Sequence, residues 1–191
     1  MTAFVPAARR QVLADLLPGA RVRDVLLVLG SAVFMGLVAQ VAIPLPFTPV
    51  PLTLGTFGAL LIGASLGPLR GGLGLSLYLV AGVLGVPWFA NHQSGWERAS
   101  FGYVIGYVIA AVIVGRLAQL GADRTVVKTV GLMAVGSVVI YACGVPWLMA
   151  FLHVDLATAL RLGVWPFLIG DAIKAALAAA LLPTAWRLVR R

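Results

Sequence analysis

The sequence predicts an all-α integral membrane protein, with six transmembrane helices in one bundle and both termini in the cytoplasm. The chain has 191 residues, of which 61% are hydrophobic and only 10% are charged. A soluble domain of this size would expose far more charge, and a β-barrel would show short segments of alternating polarity. Long apolar runs therefore favour a single membrane domain over residues 25–188, between a cytoplasmic segment 1–24 and a basic tail 189–191.

The first predicted span runs from Val25 to Ile43, which matches the length that a helix needs to cross a bilayer. No small-residue cleavage site follows it, so we expect it to be retained. The next segment, Pro44–Pro51, is rich in proline and is expected to be extended. Because this segment is also apolar and uncharged, we expect it to fold over or into the membrane domain.

Two shorter apolar runs follow at Leu54–Leu66 and Leu73–Val86, with a turn containing glycine and proline at 67–72 between them. They form either two crossing helices or one re-entrant hairpin, and both alternatives return the chain to the same side. After an outer loop at Pro87–Ser100, three further spans are predicted. These are Phe101–Leu117, Val130–Phe151 and Gly163–Trp186.

The net charge of +8 comes mainly from residues that border the apolar runs, and this pattern argues against nucleic-acid binding. Of the 14 Lys and Arg residues, only Arg98, Arg161 and Lys174 fall outside the predicted cytoplasmic side. This distribution follows the positive-inside rule, and it is the basis for placing both termini in the cytoplasm. The basic residues near the membrane surface are expected to meet anionic lipid.

Asp171 and Lys174 stand three residues apart in an otherwise apolar run. On a helix, this spacing puts both side chains on one face. Each charge costs about 2.5–3.5 kcal/mol at the centre of a membrane helix. Two such charges of opposite sign indicate a polar pocket away from lipid. The alternative is an ion pair that only locks the sixth helix to its neighbours.

Aromatic and small residues form two further patterns. Four tryptophans fall at the predicted outer end and one at the inner end; they are Trp88, Trp96, Trp147 and Trp165 outside, and Trp186 inside. They form either an interfacial belt or the walls of a pocket near the outer surface. Ala32 and Gly36 share a face of the first helix, where small residues permit close packing within the chain or docking of a second membrane protein.

Catalytic and metal-binding functions are poorly supported. Cys143 is the single cysteine, and His92 and His153 are isolated, so neither a disulfide nor a metal site is expected. Asp171 has no second acid at membrane depth, and no phosphate-binding glycine loop or catalytic Ser/His pair is present. We therefore expect a protein that is not an enzyme and holds no cofactor of its own.

Several stretches of the chain resemble the BioY family, the biotin-binding S components of energy-coupling-factor (ECF) transporters. They occur in the expected order and spacing between about residues 43 and 176; they are Ile43–Leu54, Leu66–Gly72, Leu77–Ala90, Phe101–Tyr107 and Pro166–Ala175. The resemblance implies a six-helix S component in the plasma membrane of a prokaryote, which captures biotin from outside. It also implies docking onto a transmembrane coupling (T) subunit driven by two ATP-binding-cassette subunits that use ATP, with Ala32 and Gly36 facing the T subunit.

Biotin offers a ureido ring, an apolar thioether ring with an aliphatic tail, and a carboxylate. A buried urea needs a partner for each polar group. For such a ligand, we expect Asp171 to accept from a ureido N–H and Lys174 to donate to the ureido carbonyl or reach the carboxylate. The remaining candidates are Arg98 for the carboxylate, Asn91 for further ureido bonds, and Trp88, Phe89, Tyr103 and Trp147 as apolar walls.

Two other functions remain open at this point. The chain is alternatively an S component for a different vitamin, with the same fold and a different pocket. It is alternatively a stand-alone secondary transporter in which Asp171 carries a coupling proton, although no clear inverted repeat is present.

Overall fold

The structure, a computed structural model, describes residues 11–19 and 21–189. Five helical segments in this part of the chain are long and apolar enough to cross a membrane; they are Arg21–Ala39, Gly55–Val83, Phe101–Gln119, Val126–Leu152 and Leu156–Val189. The first four are α1 to α4. The last consists of α5 (Leu156–Gly163), a 3₁₀ turn (Trp165–Phe167) and α6 (Leu168–Val189). The prediction of a helical membrane protein is therefore confirmed.

The helices pack largely in chain order. α2 packs against α1 and α3, α3 packs against α4, and α4 packs against both α5 and α6. α1 packs mainly on α2 and leaves an apolar stripe exposed, which includes Leu26 and Leu37. Lipid tails solvate such a stripe as well as another apolar surface would.

α2 is divided at Gly67, where the chain turns back on itself. Gly67 has φ 82° and ψ 177°, a conformation that glycine adopts readily and other residues rarely adopt. A Cβ on Gly71 would lie 3.2 Å from the Cα of Gly63, whereas residues eight apart in a continuous helix are separated by about 12 Å. The turn predicted at 67–72 is therefore tighter than expected, because Pro68 immediately starts the second arm.

The proline-rich segment lies on the membrane domain, as predicted. Two short antiparallel strands, β1 (Ala42–Ile43) and β2 (Leu52–Thr53), bracket it. The hydroxyl of Thr48 donates to the carbonyl of Leu162 over 2.7 Å, which ties the segment to α5. Val50 is 5% exposed and Thr48 8%, so these two residues anchor the loop, whereas Phe47 remains 60% exposed.

The sixth predicted span begins differently from the prediction. α4 ends at Leu152, and the next residue, His153, caps it in the left-handed conformation. Asp155 caps α5 by accepting from the backbone N–H of Thr158 over 3.2 Å. Gly163 closes α5, and α6 starts only at Leu168. The predicted helix start at Gly163 is wrong because a short amphipathic helix and a 3₁₀ turn precede the membrane span.

The other predicted bounds differ by a few residues. α1 starts at Arg21 and ends at Ala39, which is about one turn earlier than predicted, and α4 starts one turn earlier, at Val126. Four arginines used to orient the chain lie outside the described residues; they are Arg9, Arg10, Arg190 and Arg191. The same holds for all of the basic tail except Val189.

Charged residues gather at the end of the bundle where α6 finishes. Arg70 of α2 pairs with Asp15 over 2.5 Å and with Asp24 over 3.2 Å. Nearby, Trp186 donates its indole N–H to the fully buried carboxylate of Asp123 over 2.5 Å. Burial raises the pKa of Asp123, which lies in the loop between α3 and α4. This cluster is roughly 22 Å along α6 from Asp171, at a rise of about 1.5 Å per residue.

Candidate functional site

A cavity that is partly open to solvent lies at the other end of the bundle. The walls come from the end of α1, from α2, α3, α4 and α6, from the 3₁₀ turn before α6 and from the loops that precede α2 and α3. The lining residues are Ala39, Val50, Pro51, Thr53, Thr56, Tyr78, Phe89, Ala90, Arg98, Ser100, Tyr103, Val104, Tyr107, Ile140, Tyr141, Phe167 and Lys174.

The predicted Asp171–Lys174 pair borders this cavity. Lys174 is 6% exposed and lines the cavity, and its ammonium lies 3.1 Å from Oδ1 of Asp171. The hydroxyl of Tyr141, from α4, donates a hydrogen bond to Oδ2 of the same carboxylate. On the opposite face of α6, Ile169 is 77% exposed. The two charges therefore face the interior of the bundle, as their spacing predicts.

The tyrosines on α3 and α4 are part of the cavity wall. Tyr103 and Tyr107 stand four residues apart on α3, so both face the same side. The ring of Tyr103 packs edge-on against Tyr141 with centroids 6.4 Å apart, and its hydroxyl donates to the carbonyl of Gly163 over 2.9 Å. Of these three, only Tyr103 is predicted from the sequence.

Thr53 and Thr56 supply hydroxyl groups to the wall beside Tyr107. Thr53 ends β2 and Thr56 lies in the first turn of α2, so the proline-rich loop and the helix reach the cavity together. The hydroxyl of Thr53 accepts from the backbone N–H of Gly55 over 3.0 Å, which fixes its position. Sequence reasoning missed both threonines, although their i, i+3 spacing beside a buried loop is a usable signal.

The loop between α2 and α3 contributes Phe89 and Arg98. Phe89 is 1% exposed, and its ring packs edge-on against Tyr78 with centroids 5.2 Å apart. The Arg98 guanidinium lies over the Phe89 ring, 5.3 Å from its centroid, and donates a hydrogen bond to the side-chain oxygen of Gln93. Partial burial lowers the pKa of Arg98 below its usual range, yet a guanidinium keeps its positive charge in proteins.

Three other predicted residues support this loop and do not line the cavity. The indole N–H of Trp88 donates to the carbonyl of Tyr78 over 2.9 Å, and that of Trp147 donates to the carbonyl of Arg98 over 2.8 Å. Asn91 is exposed and has φ 60° in the short 3₁₀ turn of the loop. The structure thus places these three side chains outside the cavity lining. This corrects the prediction that they form the wall or contact the ureido ring.

Ala32 and Gly36, the predicted contacts for a partner subunit, are buried inside the chain. Ala32 is 1% exposed, and a Cβ on Gly36 would lie 3.1 Å from the Trp88 ring. Both residues belong to the face of α1 that turns towards its own bundle. The small-residue pattern is therefore satisfied by internal packing in this structure, and the predicted outward orientation is wrong.

The arrangement suits a small molecule that is polar at both ends and apolar in the middle. Lys174 and Arg98 bring two positive charges to the cavity from different elements, and the Asp171 carboxylate lies directly behind Lys174. Aromatic and aliphatic side chains form most of the remaining wall. Within the part of the chain that the structure describes, no cluster of His, Cys, Asp or Glu has the composition of a metal site.

Comparisons with known proteins agree with this geometry. The model of the BioY family matches residues 9–191. A probable biotin transporter BioY of Pyrococcus horikoshii is 40% identical over 130 residues, which cover 68% of this chain and 76% of that protein. The biotin transporter BioY of Thermotoga maritima is 32% identical over 155 residues, which cover 79% of this chain and 90% of that protein.

A solved structure shares the fold. It is the crystal structure of the S-component for biotin from an ECF-type ABC transporter, and it matches with a TM-score of 0.78 at 23% sequence identity. The match covers 90% of this chain and 93% of that one. Because the family model spans nearly the whole sequence and the curated relatives are matched over most of their length, the chain belongs to the BioY family.

Proposed function

We propose that this protein captures biotin from outside the cell as the S component of an ECF uptake transporter. One observation supports the proposal above all. Asp171 forms an ion pair with Lys174 and accepts a hydrogen bond from Tyr141, and this polar group borders a mostly apolar cavity. The loop wall of the same cavity contains a second cation, Arg98. Biotin has the matching chemistry, with a ureido ring, an apolar middle and a carboxylate. The proteins named above are transporters and not enzymes, which agrees with a site built for binding.

The ureido ring belongs at the α6 end of the cavity in this proposal. Asp171 and Lys174 lie 3.1 Å apart, so they grip the same end of a ligand whose polar groups are much farther apart. Asp171 accepts from a ureido N–H, and Lys174 donates to the ureido carbonyl. A charged partner strengthens each hydrogen bond relative to a neutral one.

The biotin carboxylate belongs near Arg98. The Arg98 guanidinium is held over Phe89 and already donates to Gln93, and its planar fork retains further N–H groups for a carboxylate. The aromatic residues between the two ends, among them Tyr103 and Tyr107, then enclose the thioether ring and the tail. The loops 44–53 and 87–100 close the cavity after the ligand enters.

The membrane topology and the partners are part of the same proposal. The reversal at Gly67 supports two separate arms in Gly55–Val83. Together with the other helices, they make six spans with both termini in the cytoplasm of a prokaryotic cell. Transport then requires a T subunit and two ATP-binding-cassette subunits, since no ATPase motif occurs in this sequence.

A proton-coupled secondary transporter is less well supported. No clear inverted repeat is present in the sequence. Each oxygen of Asp171 already has one partner, Lys174 or Tyr141, and keeps a lone pair that can accept from a ureido N–H. An S component for another vitamin shares the fold and differs only in the ligand. A binding screen across vitamins separates that alternative from biotin.

Isothermal titration of biotin into detergent-purified protein, stripped of ligand beforehand, tests the proposal directly. We expect tight one-to-one binding that is weakened by Lys174→Met and retained by Lys128→Met, a matched change at the start of α4. Absence of binding by folded wild-type protein would reject biotin as the ligand. Uptake that needs no ATPase partner and stops when the proton gradient collapses would instead favour the secondary transporter.

A further inference from the structure

Gln40 connects the end of α1 to the loop that closes the cavity. Its side-chain N–H₂ group lies 2.9 Å from the carbonyl of Gly36, 2.8 Å from that of Trp88 and 3.2 Å from that of Phe89. Its side-chain oxygen accepts from the backbone N–H of His92 over 3.0 Å. The amide therefore uses its donors and its acceptor at once, in the one orientation that suits all four partners.

The loop segment held by Gln40 has a backbone conformation that needs external support. Asn91 and His92 have φ values of 60° and 54°, in the left-handed region that is uncommon for residues other than glycine. Phe89 and Gln93 pair across this turn through two backbone hydrogen bonds of 2.9 and 3.2 Å. Gln40 binds the backbone on both sides of the turn, at Phe89 and at His92.

The same segment places Phe89 in the cavity wall. Its ring lies against Gly82, where an added Cβ would come within 2.2 Å of the ring, and Trp88 beside it packs on Gly36. Gly36 of α1 thus packs against Trp88, and Gln40, just after the end of α1, binds the carbonyls of Trp88 and Phe89. The position of Phe89 also sets that of Arg98, whose guanidinium lies on the Phe89 ring.

From these contacts we infer that Gln40 is a positioning residue for ligand retention. It holds the turn at residues 88–92 against α1, so that Phe89 and Arg98 stay over the cavity while the ligand is bound. Gln40 itself does not line the cavity, and its effect passes through the loop. This inference rests on the proposed function, because biotin is the ligand that the closed loop retains.

Gln40→Glu is the sharpest variant, because it keeps the size of the side chain and turns a carboxylate oxygen towards three carbonyl oxygens. Gln119→Glu is the matched control, since it makes the same change at the far end of α3, where the side chain accepts an exposed hydrogen bond from Arg116. Gln40→Met removes the polar contacts without adding charge. It serves if the glutamate variant fails to fold.

The experiment measures release of labelled biotin from full-length protein after addition of excess unlabelled biotin. We expect Gln40→Glu to release biotin about tenfold faster than wild type, as the loss of one or two hydrogen bonds implies. Release from Gln119→Glu should stay within about twofold of wild type. In parallel, hydrogen exchange at the His92 amide should rise in ligand-free Gln40→Met, because this variant removes the oxygen that accepts from the His92 N–H.

The two readouts separate positioning from general stability. A folded Gln40→Met protein with unchanged His92 exchange would overturn the inference, and so would raised exchange with an unchanged release rate. If the wild type retains no biotin, the proposed function fails. The inference about the loop then stands or falls on the His92 exchange alone.

Discussion

Replacement of Asp171 by asparagine tests the proposed hydrogen bond between the buried Asp171 carboxylate and the ureido N–H of biotin. The change keeps the shape of the side chain and removes its charge, so a charge-assisted hydrogen bond to the ureido N–H becomes a neutral one. Hydrogen bonds to charged groups contribute about 1.5–3 kcal/mol, and neutral ones about 0.5–1.5 kcal/mol. The difference of about 1–2 kcal/mol corresponds to roughly a 5- to 30-fold loss of affinity.

Titration calorimetry with biotin and with desthiobiotin measures this loss. Desthiobiotin keeps the ureido ring and lacks the thioether, so we expect Asp171→Asn to weaken both ligands by the same factor. Asp155→Asn is the control, because Asp155 is a helix cap outside the cavity. If Asp171→Asn abolished biotin binding and spared desthiobiotin, the assignment of Asp171 to the ureido ring would be wrong.

Three further changes probe other parts of the structure. Arg98→Gln should remove the preference for biotin over biotin methyl ester, measured by titration, because the guanidinium then no longer pairs with the carboxylate. Gly67→Ala should lower the free energy of unfolding by about 1–3 kcal/mol, measured by thermal denaturation in detergent, because the backbone there has a conformation that is nearly restricted to glycine. Asp123→Asn should remove a pH dependence of stability. Burial raises the pKa of Asp123 above its usual 3.8 in the folded state, so wild type should gain stability relative to the variant as pH falls from neutral towards 4.

For each of these three predictions, a specific result would contradict it. An Arg98→Gln protein that still prefers biotin to its ester would separate Arg98 from the carboxylate. Gly131→Ala is the control for Gly67, since a Cβ at Gly131 meets nothing within 4 Å; equal effects of the two would remove the argument from backbone conformation. Parallel pH profiles of stability for wild type and Asp123→Asn would show that the carboxyl does not titrate differently on folding.

Hydropathy predicted most of the helices and the one charged pair, because both signals are strong. A charged residue within an apolar run is costly in a membrane, so Asp171 and Lys174 stood out from the sequence alone. Tyr141, Tyr107 and Thr53 did not stand out, because hydroxyl side chains are tolerated anywhere along an apolar helix. Only the packing of β2, α3 and α4 shows that they face the same cavity.

Other differences arose where one residue type serves two roles. Trp88 and Trp147 have amphipathic rings, which suit a cavity wall and a supporting layer equally well, and the structure places both in the supporting layer. Gly36 belongs to a small-residue pattern, which indicates close packing but does not identify the segment that packs there. Here the partner is Trp88 of the same chain.

The order of α4 and α6 along the chain has a consequence for biosynthesis. α6 emerges from the ribosome after α1 to α5, and it carries two charges that are costly to insert alone. The hydroxyl that binds Asp171 comes from Tyr141 on α4, which has already been synthesised by then. Insertion of α6 is therefore favoured by helices already in the membrane, and the cavity becomes complete only when α6 joins them.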